Sequence, residues 1–264
     1  MGNSTECFDW ASSFYDYSRA IPDDLMRKAL AILQNKIIID SSSKILEVGI
    51  GTGRIAIPLI EYFNPALVGI DISCEMLQKC QEKLSPTDKI QLIIADGLTL
   101  PFSDNQFDII LTCHLLHLLS NAYEFIEKIS PLLVKNGCYI NLEAYVDYHQ
   151  TLPFQIYYNK LSIAGFRHIY RGDFIRRGLI VYLSKREWNH QEYIIRGERV
   201  ILYNDLVRFL RNQVFSHQRT ISTDLHQFAL KHLYRELEEK SIDLTKEVFA
   251  PAIVRLNIFE REKQ

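Results

Sequence analysis

Between residues 44 and 142, short apolar runs alternate with longer stretches whose apolar residues recur at helical spacing. Five runs read as strands: residues 44–48, 66–70, 90–95, 107–113 and 138–142. Each is a near-continuous series of aliphatic and β-branched side chains, the composition of strands covered on both faces. Strands alternating with helices demand a parallel sheet with right-handed crossovers. Outside this stretch the pattern is less regular. Residues 1–35 are predicted helical, with Pro22 at a helix start and an apolar face at Leu25, Ala29, Leu30 and Leu33. A helix is expected to end near Lys135, Asn136 and Gly137. Residues 145–188 are expected to be mostly helical, with Asp173 as a cap, followed by a sixth strand at 193–196. Helices are predicted at 203–212 and 223–240, and a last strand at 249–259.

The first run breaks into Glu47-Val48-Gly49-Ile50-Gly51-Thr52-Gly53-Arg54. Glycines at alternate positions let the backbone turn tightly and meet a ligand where a Cβ would collide, and the helix that follows presents free N–H groups to it. A dinucleotide fingerprint, G-x-G-x-x-G, needs its third glycine where Arg54 stands, whereas here it falls at Gly53. The bland alternative is that these are turn glycines and that Asp71 and Asp96, after the second and third strands, are helix caps.

The pattern Glu47-x-Gly49-x-Gly51-x-Gly53 resembles the first motif of class I S-adenosylmethionine (SAM)-dependent methyltransferases, and the later landmarks follow in family order. The resemblance implies a doubly wound, seven-stranded, mostly parallel sheet whose last strand is antiparallel. It implies SAM as cofactor, leaving as S-adenosylhomocysteine, with Asp71 on the ribose hydroxyls and Asp96-Gly97 facing the adenine. Ile72, Met76, Cys113 and His114 complete the implied cofactor set. The segment Phe14-Tyr15-Asp16-Tyr17-Ser18-Arg19 resembles the Tyr-Asp-x-x-Arg motif of small-molecule methyltransferases, which implies an N-terminal helical lid. Its Tyr15 and Arg19 would hold the methionine carboxylate by charge-assisted hydrogen bonds. An exposed helix end with Arg19 in a surface ion pair is the alternative.

His114 and His117 follow the fourth strand, where methyl donor and acceptor should meet. A neutral imidazole can take a proton from a hydroxyl or amine as it is methylated, so His117 is a candidate base or positioning residue. Tyr15, His117, Tyr145 and His149 are the candidate acceptor residues. The aromatics from Tyr145 to Trp188, including Tyr148, Phe166, Tyr170, Phe174 and Tyr182, either line an acceptor pocket or pack as core. Phe154, Tyr157, Tyr158 and Leu161 fit helical spacing for the second role. Arg167, His168, Arg171, Arg176 and Arg177 read as solvated surface charge, with contact to an acidic acceptor as the alternative.

Composition limits the alternatives. At 264 residues and 47% hydrophobic content the chain is expected to form one domain: a lid over 1–40, a SAM-binding core over 44–143, an inserted helical cap over 144–190, and strands and helices completing the sheet over 191–264. A formal charge of −2 provides no global attraction for nucleic acid, so the expected partner is a small-molecule acceptor such as a natural-product or peptide-like metabolite. The five cysteines show no Cys-x-x-Cys spacing, so no metal is expected. Glu6 and Asp9 precede any apolar run, and no run approaches membrane-spanning length, which leads to an expectation of a cytoplasmic protein without a membrane partner. An NAD(P)-dependent oxidoreductase and a SAM-binding protein that does not methylate are the competing readings.

Overall fold

The computed structural model describes residues 12–167 and 172–261. One sheet carries seven strands in the order β3-β2-β1-β4-β5-β7-β6. They are β1 Lys44–Val48, β2 Ala66–Asp71, β3 Ile90–Ile94, β4 Phe107–Cys113, β5 Leu133–Val146, β6 Trp188–Leu202 and β7 Glu247–Arg261. Neighbours among β1 to β5 pair in parallel, and β7 runs antiparallel between β5 and β6.

Three elements depart from the expected boundaries. β5 starts at Leu133: it pairs Leu133 with Phe107, then Cys138 with Ile109, so the intervening residues bulge out of register. Gly137 is needed in that bulge, since a Cβ there would lie 2.9 Å from the Asp108 carbonyl. The helix expected up to Gly137 instead ends at Ile129, and a 3₁₀ turn at Ser130–Leu132 leads into the strand. β6 is far longer than 193–196. As an edge strand it carries Gln191, Glu192, Arg196 and Glu198, which break up the apolar run while protecting the exposed edge.

Helices α1 Ser12–Ser18, α2 Asp23–Lys36, α3 Ala56–Phe63 and α4 Cys74–Gln81 lie before β3 in the chain. Leu25, Leu30 and Leu33 of α2 join Leu59 and Phe63 of α3 against Ile45, Ile140, Val254 and Leu256 on one face of the sheet. The opposite face is covered by α5 Ala122–Ile129 and α7 Gly172–Ser184, whose Phe125, Ile129, Leu179 and Leu183 pack on Leu46, Ile110, Tyr139 and Phe259. A third cluster forms beyond the carboxyl ends of the parallel strands. There α6 Leu152–Ile163, α8 Tyr203–Arg211 and α9 Thr223–Glu239 pack around Tyr148, Phe154, Tyr157, Phe209 and Leu233.

Both covering segments therefore differ from expectation. Only α1 of the N-terminal segment stands over the strand ends, because α2 is a layer of the core; Gly197 on β6 lets Leu25 approach so closely that a Cβ would lie 2.8 Å away. Likewise α7 covers a sheet face, and the cap is completed by the chain between β6 and β7 rather than by 144–190 alone. Leu25 is fully buried, so Leu25→Ala is expected to cost about 2–5 kcal/mol in urea unfolding. A loss near zero would return α2 to the lid.

Candidate cofactor and acceptor site

The loop after β1 is anchored by the N–H groups of Gly49 and Ile50, which donate to the Ile70 carbonyl at 2.8 and 3.0 Å. Gly49, Gly51 and Gly53 all adopt left-handed backbone, with φ of +75°, +57° and +77°. Their surroundings differ. A Cβ on Gly53 would meet Cys80 Sγ at 2.6 Å, whereas one on Gly51 would point into open space. The loop is thus closed towards α4 and open where a ligand would lie.

Asp71 ends β2 and holds this loop in place. One carboxylate oxygen accepts from the Gly51 N–H at 2.8 Å and the other from the Ser73 N–H at 2.9 Å. Ile72 beside it is a large apolar side chain left 42% exposed. Asp96 is exposed after β3, one carboxylate oxygen accepting from the Leu98 N–H at 2.9 Å, with Gly97 packed close to Val48. Met76 points instead into the core from the first turn of α4, leaving Ile72 as the exposed apolar surface beside Asp71.

Glu47 is 1% exposed, and its buried Oε2 has no hydrogen-bond partner among the described residues. Burial raises its carboxyl to about 8, against the pull of the Arg54 guanidinium. Arg54 links three elements: Nη1 donates to the Arg19 carbonyl at 2.9 Å and to the Ala144 carbonyl at 3.2 Å, and Nη2 reaches Cys113 Sγ at 3.7 Å. Burial pushes the Cys113 thiol up to about 12, so it stays protonated.

His114 has a left-handed backbone, φ +53°, and its Nε2 lies 2.9 Å from the Ala144 carbonyl oxygen and 3.1 Å from the Ala144 nitrogen. Burial, with the charge of Arg54, lowers its pKa to about 3, and the neutral ring clasps the end of β4 to β5. His117 sits in the 3₁₀ turn after it, half-buried, its pKa lowered by burial and then by Arg19. It lines a small cavity with His114, Asn141, Glu143 and Arg176. Arg176 is not the expected surface charge: it is buried and pairs with Glu192 at 2.8 Å.

Just past the end of α1, the Arg19 guanidinium lies 4.6 Å from the ring centre of Tyr15 on that helix and 5.2 Å from that of Phe215. Cap residues continue this wall: the His149 ring is 4.5 Å from that of Tyr158, whose hydroxyl is 2.6 Å from His217 Nε2. Phe154 and Tyr157 are fully buried and belong to the cap core, while Phe174 is exposed and Tyr182 pairs with Glu127 at the surface. Tyr145 is half-buried on β5, opposite Ile253. His168, Tyr170, Arg171, Glu6, Asp9 and Cys7 lie outside the described residues, as does the side chain of Asp173. Arg54, Asp205, Phe215 and His217 were absent from the sequence-derived set. The signal for the last three is the length of chain between β6 and β7, far beyond a hairpin turn.

Residues 45–137 match the family described as a methyltransferase domain. An uncharacterized methyltransferase of Anoxybacillus flavithermus is 33% identical over 151 residues, which are 52% of this chain and 68% of that protein. The chain belongs to the class I SAM-dependent methyltransferases. A phosphoethanolamine N-methyltransferase of Plasmodium falciparum is 25% identical over 197 residues, 71% of this chain and 72% of that one. In fold this chain is similar to a structure from Anaeromyxobacter dehalogenans named as a candidate type II methyltransferase, with a TM-score of 0.62 and 11% identity over 90% of this chain and 95% of that one. The chain spans 40 to 72% of the length of the curated relatives it matches. As in the rest of this family, the cofactor is SAM, and the chain's own geometry fits it: an open cradle at Gly51, an orphaned buried carboxyl oxygen on Glu47 and an exposed apolar face at Ile72. No helix among the described residues is long and apolar enough to cross a membrane.

Proposed function

We propose that this methyltransferase transfers the SAM methyl group in line to a small-molecule acceptor, such as a natural-product or peptide-like metabolite. The observation that carries the proposal is the roof over the strand ends. The Arg19 guanidinium packs over the Tyr15 and Phe215 rings and its charge acts on His117, which supports a reacting centre walled by the N-terminal segment and the cap, a shape suited to a compact acceptor. The relative named as acting on phosphoethanolamine supports an acceptor of that size.

Bound SAM supplies a methyl group already activated by its positive sulfonium. The chain's residues then bind, align and exclude water. Gly49, Gly51 and Gly53 give the backbone room, Asp71 faces the ribose, Ile72 and Asp96-Gly97 face the adenine, and Arg19 and Tyr15 hold the methionine carboxylate. Glu47, Arg54, Cys113 and His114 form the floor. Tyr145 and His149 flank the acceptor. His117 is kept neutral by burial and by Arg19, so its imidazole can accept the acceptor's proton; alignment alone supplies much of the remaining acceleration.

Mass spectrometry of the purified protein tests the cofactor and its turnover together. Bound S-adenosylhomocysteine is the expected result, and bound NAD would overturn the proposal. With an acceptor in hand, His117→Ala is expected to lower turnover by about 10²–10⁴-fold if the ring is the base, with recovery on adding imidazole. A loss that is independent of pH and not restored by imidazole would assign it to positioning.

A further inference from the structure

Helix α1 is tied to both walls of the cleft, and the residues that tie it on the cofactor side lie outside the set assigned to SAM contact. Through one oxygen the Asp16 carboxylate accepts a hydrogen bond from the Thr52 hydroxyl. Lys83 Nζ donates to the other oxygen at 2.6 Å and to the Thr52 carbonyl at 2.7 Å. Thr52 stands between Gly51 and Gly53 and is 1% exposed, while Lys83 lies just past α4. Three segments, α1, the glycine loop and the end of α4, thus meet in one closed ring of contacts. The next residue faces the other wall. Tyr17 donates to the Asp205 carboxylate, which pairs with Arg208 at 3.0 Å, and the Ser18 carbonyl accepts from Tyr148 Oη at 2.9 Å.

We propose that Asp16, Thr52 and Lys83 are positioning residues that hold the glycine loop in its SAM-receiving form and make that form dependent on α1 being docked. The proposal rests on the SAM assignment of the loop. The Asp16 and Lys83 side chains are 45% and 35% exposed, and ion pairs at such exposure add little to overall stability. Their effect is geometric. The loop contains three left-handed glycines, Gly49, Gly51 and Gly53, the residue type with the most backbone freedom to lose, and the ring removes that freedom before the ligand arrives. Because Tyr17 and Ser18 fasten the same helix to the cap, an acceptor that orders the cap raises SAM affinity, and SAM raises the acceptor's by the same factor.

Titration calorimetry of the full chain with S-adenosylhomocysteine tests this on Asp16→Asn, Lys83→Met, Thr52→Val and the Asp16→Asn/Lys83→Met pair. If opening the ring leaves the receiving form in a tenth of the molecules, each single variant binds about tenfold more weakly. The pair should bind no more weakly than either single variant, because one ring is broken once. Lys83→Arg and Thr52→Ser, which keep the donors, should bind near wild-type affinity, and thermal midpoints should stay near wild type throughout. Unchanged affinity in the three single variants would overturn the proposal, as would losses that merely track a fall in midpoint. Wild-type protein that fails to bind S-adenosylhomocysteine would overturn the cofactor assignment itself, a different result from tight wild-type binding with indifferent variants.

Discussion

Gly51→Ala is expected to abolish SAM binding in a chain that still folds, while Gly53→Ala is expected to damage the fold itself. Both positions have left-handed backbone, so either alanine costs about 1–2 kcal/mol of strain. At Gly51 nothing lies within 4 Å of the new methyl group, so the cost ends there for the free protein. The methyl would occupy the open side of the loop, where the ligand must make its closest approach, and affinity should fall more than about 100-fold, on the order of 3 kcal/mol. At Gly53 the new Cβ would sit 2.6 Å from the sulfur of the fully buried Cys80 and 3.1 Å from Ile57, which adds about 1–3 kcal/mol of overpacking. Urea unfolding and calorimetry with S-adenosylhomocysteine separate the two outcomes. Normal affinity in Gly51→Ala would move the ligand off this loop.

That contrast shows what sequence pattern can carry. The Gly49, Gly51 and Gly53 spacing, and Asp71 and Asp96 behind apolar runs, were legible because buried parallel strands are continuous in apolar character and their ends bear turn chemistry. β6 was legible only in its apolar middle, since an edge strand must scatter charges along its length. The cap was read too narrowly for a different reason. Phe154 and Tyr157 of α6 pack on residues more than fifty positions away, such as Leu210 and Leu233, and helical spacing states that a face is buried but not against what. Arg176 illustrates the same limit. It read as surface charge, yet Glu143 on β5, Glu192 on β6 and Arg255 on β7 surround it, a set that only the strand order brings together. Arg54 was noticed solely for not being glycine, and its partners come from three separate elements.

Arg54→Met is expected to weaken the cofactor floor on two separable counts. The first is hydrogen bonding: the carbonyls of Arg19 and Ala144 lose a charged donor, at about 1–3 kcal/mol for each left without a partner. The Ala144 carbonyl also lies beside His114 Nε2, so the Arg19 carbonyl, and with it the end of α1, should suffer more. The second is electrostatic. The Glu47 carboxyl rises from the ordinary 4.5 to about 8 on folding, so its contribution to stability is fully present below the unfolded value and is lost as pH rises through the folded one. Arg54 is the cation that opposes this rise, while Asp71 adds to it. Removing the guanidinium moves the folded value higher, so the variant keeps its proton longer and should lose more stability than wild type between pH 7 and 9, at up to about 1.4 kcal/mol per pH unit. Arg54→Lys separates the counts: an ammonium restores the charge but not the planar fork that reaches Arg19, Ala144 and Cys113 together. Its pH dependence should return towards wild type while part of the stability deficit remains. Unfolding free energies at pH 7, 8 and 9 for the three proteins decide it, and identical slopes for Arg54→Lys and Arg54→Met would show that the charge of residue 54 does not govern Glu47.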